Sequence, residues 1–167
     1  MFPLIEKWSK NGKLRLLEEL NLNNLVMEYW NDNERKAIET AVGIISGRDA
    51  IHLDKVEILF DKYGMTFTGE LCGALCSKNE MGRDWIAYKI SFDDCVYHSC
   101  HELDLYSKEQ KLVSSFDLVS KSDLLDSIFN KQGIGKFSND KKYNHYILAT
   151  YDYIFEIVAC DFKFELD

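Results

Sequence analysis

The last quarter of the chain, residues 143–166, most constrains the fold. This stretch contains neither Gly nor Pro and is rich in Tyr, Phe, Ile and Val, residue types that favour strands. Phe162, Phe164 and Leu166 alternate with charged residues, which is the period of a strand with one buried face. Residues 154–160 are apolar on both faces, as in a strand at the centre of a sheet. The sequence therefore predicts that this end of the chain is buried.

A helix is the alternative for the first part of this stretch, because several of its residues also recur at helical spacing. They are Tyr143, Tyr146, Ile147, Thr150, Tyr151, Ile154 and Val158. We favour two strands joined by a turn at residues 151–153, since aromatic and β-branched side chains lose rotamer freedom in a helix.

The first 50 residues are predicted to be mainly helical. Leucines between residues 14 and 20, and apolar residues between 25 and 30, indicate short helices interrupted by asparagines. The strongest helix prediction covers residues 34–46, with N-cap candidates at 31–33 and Gly47 as its stop. Its apolar face consists of Ala37, Ile38, Ala41, Val42 and Ile45.

Strand periodicity dominates after residue 51. Residues 52–60 and 65–71 are predicted to form a hairpin around a turn at 61–64, and residues 85–92 form a strand with Ile86, Tyr88, Ile90 and Phe92 on one face. Residues 95–106 and 112–119 are further strand candidates. Ser120 and Asp123 resemble a capping box that opens a helix ending at Gly133.

Consecutive strands predict an α+β fold, in which a largely antiparallel sheet is covered by N-terminal helices and one later helix near residues 120–132. The 167 residues fit a single domain, and no linker rich in Pro or Gly suggests a second one.

The chain is expected to be a soluble cytoplasmic protein. Its apolar N-terminal run is short and is interrupted by Glu6, unlike a signal peptide, and no segment has the length of a membrane span. Five cysteines, an odd count, favour reduced thiols.

Charge distribution excludes one class of partner and favours another. The chain carries 20 basic and 28 acidic residues, and the acidic excess falls on the predicted sheet segments 51–107 and 143–167. Such a surface disfavours direct nucleic-acid binding, which needs clustered Lys and Arg, and it favours a basic protein partner.

Cysteine and histidine occur together at residues 72–76 and 95–101, the ligand types that zinc prefers. The residues are Cys72, Cys76, Cys95, His98, Cys100 and His101. On a strand, His98 and Cys100 share a face while Cys95 needs a bulge to join them, so ordinary core packing is favoured over a metal site. A nucleophilic Cys–His pair is disfavoured because an acidic surrounding raises a thiol pKa.

No catalytic or nucleotide-binding motif is present, so neither a cofactor nor a catalytic residue is predicted. Paired carboxylates without a partner motif are usually solvated surface groups. Tyrosines beside carboxylates on an exposed edge are also typical of protein interfaces.

Two stretches, WIAYKISFDDCVYHSCHELDLY and YNHYILATYDYIFEIVACDFKFE, carry a resemblance. In layout, size and charge the chain from Val56 onward resembles the small acidic immunity proteins encoded beside contact-dependent and other polymorphic bacterial toxins. The resemblance implies a cytoplasmic protein that binds one cognate toxin domain and blocks it. It assigns no individual residue.

The leading hypothesis is therefore an immunity protein, without catalytic activity, that neutralises a basic toxin domain of nuclease type. The predicted contact residues are Asp93, Asp94, Glu102, Asp104, Asp152 and Glu156 as carboxylates, with Tyr97, Tyr106 and Tyr153 as aromatic anchors. The alternatives are a small metal-binding protein or enzyme that uses the Cys/His cluster, and an oligomeric scaffold that uses an exposed sheet edge.

Overall fold

A computed structural model describes residues 35–80, 82–106, 112–131 and 141–167. The helices predicted between residues 14 and 30 lie outside the described residues, as does Gly133. The described residues are mostly strand, and every strand pair is antiparallel. The strands are β1 (Arg35–Ala37), β2 (Ile51–Leu59), β3 (Gly64–Cys72), β4 (Trp85–Asp93), β5 (Tyr97–Glu102), β6 (Phe116–Val119), β7 (Asn144–Ala149), β8 (Tyr153–Ala159) and β9 (Asp161–Leu166).

Two sheets face each other as a sandwich. One has five strands in the order β1-β6-β7-β8-β5, and the other has four in the order β2-β3-β4-β9. Aromatic side chains join the inner faces, as where the rings of Phe67 and Phe155 pack edge to face with centroids 4.9 Å apart. The antiparallel sheet predicted from sequence is thus present, divided into two layers.

The hairpin of β2 and β3 and the strand β4 confirm the sequence predictions. Ile86, Tyr88, Ile90 and Phe92 all point into the core and are at most 2% exposed. Alternation along this strand therefore identified the buried face correctly.

The helix predicted over residues 34–46 is wrong for the described part of that range. Arg35–Ala37 is an edge strand paired with β6, and the chain then turns sharply between Thr40 and Gly43. Gly43 has a φ of +76°, and the Thr40 hydroxyl accepts a hydrogen bond from the amide of Val42. Glycine permits this left-handed conformation, and a threonine side chain that bonds its own backbone competes with a helix.

Two other predicted strands are shorter than expected. Residues 95–106 form β5 only as far as Glu102, after which Leu103–Leu105 is a 3-10 turn, so Asp104 does not lie on a strand. Residues 112–119 are a strand only from Phe116.

The later helix is present but brief. Helix α1 (Asp123–Asp126) is followed by a π-helical turn at Ser127–Lys131. Its N-cap is Ser122, not the predicted Ser120, because the Ser122 hydroxyl accepts the amide of Leu125 at 3.1 Å.

The closing stretch forms strands, as predicted, but three of them and not two. The turn at residues 150–152 separates β7 from β8, and a break at Cys160 separates β8 from β9. These last two strands belong to different sheets, so the chain crosses from one layer to the other at Cys160. No helix among the described residues is long and apolar enough to cross a membrane.

Candidate functional site

The start of β4 marks one end of the sandwich, where loops of both sheets meet. The amide of Tyr151 donates to the carbonyl of Ile51 at 2.8 Å, and the amide of Leu103 donates to the carbonyl of Asp152 at 2.8 Å. We call this surface the Trp85 end. It consists of Arg48, His52, Trp85, Glu102, Asp104, Leu105, Tyr151, Asp152 and Tyr153.

Three rings stack across this end and join the two sheets. The imidazole of His52 packs edge to face with the indole of Trp85, with ring centroids 4.9 Å apart. It also lies nearly parallel to the ring of Tyr151, with centroids 5.3 Å apart. The guanidinium of Arg48 lies 5.8 Å from the Tyr151 ring centroid and donates to the Asp104 carboxylate at 3.0 Å. His52 and Tyr151 each have two such contacts, which restrict the orientation of these rings before any partner binds.

The aromatic groups of the Trp85 end are nevertheless accessible. Trp85 is 49% exposed, Tyr151 41% and Tyr153 44%, while Leu105 is 80% exposed. The carboxylates of Glu102, Asp104 and Asp152 are on exposed residues beside them. This surface therefore combines rigid aromatic area with negative charge.

A pocket of about 280 Å³ opens beside Arg48. Leu103, Leu112 and Ala149 form its apolar part, and Ser114 and Ser115 contribute polar atoms. The Ser115 hydroxyl donates to the carbonyl of Gly47 at 2.9 Å, which holds the pocket wall in place. A pocket of this kind can receive one side chain of a bound protein.

The other predicted residues lie elsewhere. Asp93 and Asp94 are at the opposite end of β4, about 26 Å away at the usual rise per strand residue. There Asp94 adopts a φ of +51° and pairs with Lys141 at 2.7 Å. These two carboxylates therefore do not join those of the Trp85 end.

Glu156, Tyr106 and Tyr97 are associated with the outer face of the five-stranded sheet. The Tyr106 hydroxyl donates to Glu156 at 3.5 Å and accepts from the Arg35 guanidinium at 3.3 Å. Ser99 donates to the other Glu156 oxygen at 3.4 Å. Burial raises the pKa of Tyr106, so its hydroxyl stays protonated as the donor. This network holds the segment around Tyr106 against the sheet.

The Cys/His residues are dispersed. Cys76 donates its thiol to the carbonyl of Cys72, Cys95 precedes β5, and His98 and Cys100 share a face of β5 as predicted. Within residues 35–80, 82–106, 112–131 and 141–167, no three His, Cys, Asp or Glu side chains are placed to hold one metal ion. Burial raises the pKa of the thiols of Cys76 and Cys95, which disfavours a reactive thiolate at either residue.

Sequence reasoning missed Arg48, His52, Trp85 and Tyr151 as members of the site. One signal was available: Trp85 falls on the face of β4 opposite to Ile86 and Tyr88, which are buried. Tryptophan is enriched at protein interfaces, so this exposed side chain could have been named as a candidate contact residue. Comparison with family models, with curated proteins and with solved structures found no match to this chain.

Proposed function

We propose that this chain is an immunity-type protein that binds a basic toxin domain through the Trp85 end. The observation that supports this most is that acidic groups are linked to the stack of His52, Trp85 and Tyr151: Asp104 pairs with Arg48, which lies over the Tyr151 ring, and Asp152 follows Tyr151 in the chain. Glu102 pairs with Tyr153 of β8, next to Asp152. Aromatic groups of fixed orientation lose little entropy on binding, and Trp, Tyr and Arg are the residues that most often dominate protein interfaces.

Electrostatics supports a basic partner. The Trp85 end carries three carboxylates and the guanidinium of Arg48, which pairs with Asp104. The whole chain carries a net charge of −8. A nuclease must present positive charge to bind phosphates, so its substrate site is attracted by the field of an acidic protein. Such attraction accelerates association and weakens as salt is added.

The residues on the outer face of the five-stranded sheet have a different role in this proposal. Glu156 and Tyr106 are hydrogen-bonded to each other and to groups of the same chain. They position the segment that carries Leu103 and Asp104, and so support the Trp85 end from behind.

The test uses the candidate toxin domain encoded next to this chain, purified as an inactive variant. Binding rates are measured for the natural chain and for a triple variant, Glu102→Gln, Asp104→Asn and Asp152→Asn. We expect the triple variant to associate about tenfold more slowly at low salt, with a smaller dependence on ionic strength. In cells that express the active toxin, the triple variant should protect less well than the natural chain.

The opposite end of β4 provides the control. The double variant Asp93→Asn and Asp94→Asn removes acidic charge about 26 Å away. It should bind and protect almost as well as the natural chain. Equal slowing of association by both variants would mean that net charge alone sets the rate. If the triple variant associates as fast as the natural chain, the Trp85 end is not the binding surface.

Aromatic truncation tests the other half of the surface. Trp85→Ala should accelerate dissociation by a factor of about 30 or more, as for a central aromatic contact. Phe60→Ala, at the tip of the β2–β3 hairpin and 81% exposed, is the matched control and should change the rate little.

A further inference from the structure

Among the described residues the two sheets have four edge strands, and three of them have features that disfavour pairing with another chain. Strand β1, which spans Arg35–Ala37 among the described residues, carries Lys36. Strand β2 has an irregularity between Leu53 and Lys55, and β9 carries Lys163. Short length, bulges and lysine are the usual protections of a sheet edge.

Within its six residues, strand β5 lacks these protections. Its six residues, Tyr97–Glu102, contain no Lys, Arg, Pro or Gly, and they pair with β8 in an unbroken register. Among the described residues, no strand covers its other side. A regular edge of this length is a template for a further strand.

The hydrogen-bond register identifies the groups that face outward. The amide of Leu103 bonds to Asp152 in continuation of the β5–β8 pairing, and alternate residues of an antiparallel strand direct their polar groups to the same side. The backbone amide and carbonyl groups of residues 97, 99 and 101 therefore face β8. The amide and carbonyl groups of His98, Cys100 and Glu102 face away from the sheet.

We propose that this edge pairs with the same edge of a second copy of the chain, antiparallel and centred on Cys100. Only this centre aligns all three outward-facing residues with one another. It places His98 opposite Glu102 of the second copy, and the reverse, while Cys100 faces its own equivalent.

Side-chain chemistry favours this occupant. An imidazole opposite a carboxylate forms a favourable cross-strand pair, and the two-fold symmetry produces it twice. Cys100 is exposed and small, so two copies of it can meet at the centre without a clash. The pairing joins two five-stranded sheets into one continuous sheet.

This inference does not rest on the proposed function, since it requires no toxin. Sedimentation velocity of the full-length reduced chain, from about 5 µM to about 500 µM, covers the range expected for an interface smaller than the standard size. We expect a monomer at the low concentration and a dimer at the high one. A monomer throughout would overturn the proposal.

Matched variants locate the interface. Glu102→Lys removes both His98–Glu102 pairs and places a lysine, which protects sheet edges, at each end of the interface, so it should weaken dimerisation about tenfold. Glu57→Lys makes the same charge change on the edge strand β2 and should leave dimerisation unchanged. Cys100→Pro removes an outward amide, which an edge strand tolerates, and should abolish the dimer while circular dichroism stays native. A dimer insensitive to Glu102→Lys and Cys100→Pro would overturn the proposed edge.

Oxidation provides a readout of register. Directly opposed residues have α-carbons about 5.5 Å apart, within the range of a disulfide. Diamide takes one proton and one electron from each Cys100 thiol and is reduced as the S–S bond forms. We expect a covalent dimer, mapped to Cys100, that Cys100→Ser eliminates and Cys160→Ser does not. A crosslink through other cysteines would overturn the symmetric register.

Discussion

Asp117 is a fully buried carboxylate that shapes the start of β6. It accepts the amide of Val113 at 2.8 Å, the amide of Ser114 at 2.9 Å and the hydroxyl of Ser114 at 2.6 Å. These bonds turn residues 113–115 away from an extended path, which is why the strand begins only at Phe116.

Removing this carboxylate should be costly. Asp117→Ala leaves the amides of Val113 and Ser114 without their acceptor, and we expect a loss of about 2–4 kcal/mol in the free energy of unfolding. Chemical denaturation measures this change. Asp123→Ala, at the exposed start of α1, should cost less than about 1 kcal/mol. Similar losses in the two variants would contradict the role given to Asp117.

His145 is a buried histidine that favours the neutral form. Its Nδ1 lies 2.8 Å from the hydroxyl of Ser122, and its Nε2 is buried without a hydrogen-bond partner among the described residues. Burial, together with the charge of Arg35, lowers its pKa from 6.5 to about 4. The unfolded chain therefore binds a proton at a higher pH than the folded chain does.

This difference predicts how stability depends on pH. The contribution of His145 is fully present above pH 6.5 and is lost progressively as the pH falls from 6.5 to about 4, by roughly 3 kcal/mol in total. Unfolding free energies measured across this range should fall more steeply for the natural chain than for His145→Gln. His101→Gln, at an exposed site, should keep the natural slope.

At the scale of the elements, Gly69 allows the irregularity of β2. A β-carbon at this position would overlap the carbonyl oxygen of His52 and would lie 3.0 Å from the amide nitrogen of Asp54. Gly69→Ala should therefore displace the start of β2 and cost about 1–3 kcal/mol. Because His52 belongs to the stack, its ring-current shifts in NMR spectra should change as well.

The control for this prediction is in the same strand. In Gly64→Ala, the new methyl group would meet its nearest neighbours at 3.6 Å, an ordinary contact distance. This variant should fold with nearly natural stability. Unchanged His52 shifts in Gly69→Ala would show that the irregularity does not depend on the glycine.

Strands were predictable where alternation is regular, as in β4, and the errors arose where two periods fit the same residues. Ile38, Val42 and Ile45 match a helical face. In the structure they pack into the core from a segment that is bent and extended. Local spacing could not reveal that Arg35–Ala37 would pair with β6, a partner about 80 residues away. Long-range pairing overrode helical periodicity here.

At the scale of the whole molecule, the separation of the predicted contact residues follows from topology. Asp93 and Glu102 are close in sequence, but the intervening turn moves the chain from the four-stranded sheet to the edge of the other sheet. Asp152 is instead distant in sequence and lies beside Leu103. Residue types indicated which side chains suit an interface, whereas strand order decides which of them share one.

Phe92 lies at the centre of the contact between the sheets. Its ring packs against Phe67 at 5.8 Å within its own layer, and against Phe116 at 6.2 Å and Tyr146 at 5.3 Å in the opposite layer. Phe92→Ala should therefore lower the free energy of unfolding by about 3–5 kcal/mol.

If one core stabilises both layers, hydrogen exchange in Phe92→Ala should show equal losses of protection in β3 and in β7, which belong to different sheets. Phe92→Leu, which keeps most of the volume, should cost less and affect both strands in the same ratio. A loss of protection confined to β3 would mean that the two sheets unfold independently. The Trp85 end, to which both sheets contribute, would then depend on how the sheets pack against each other.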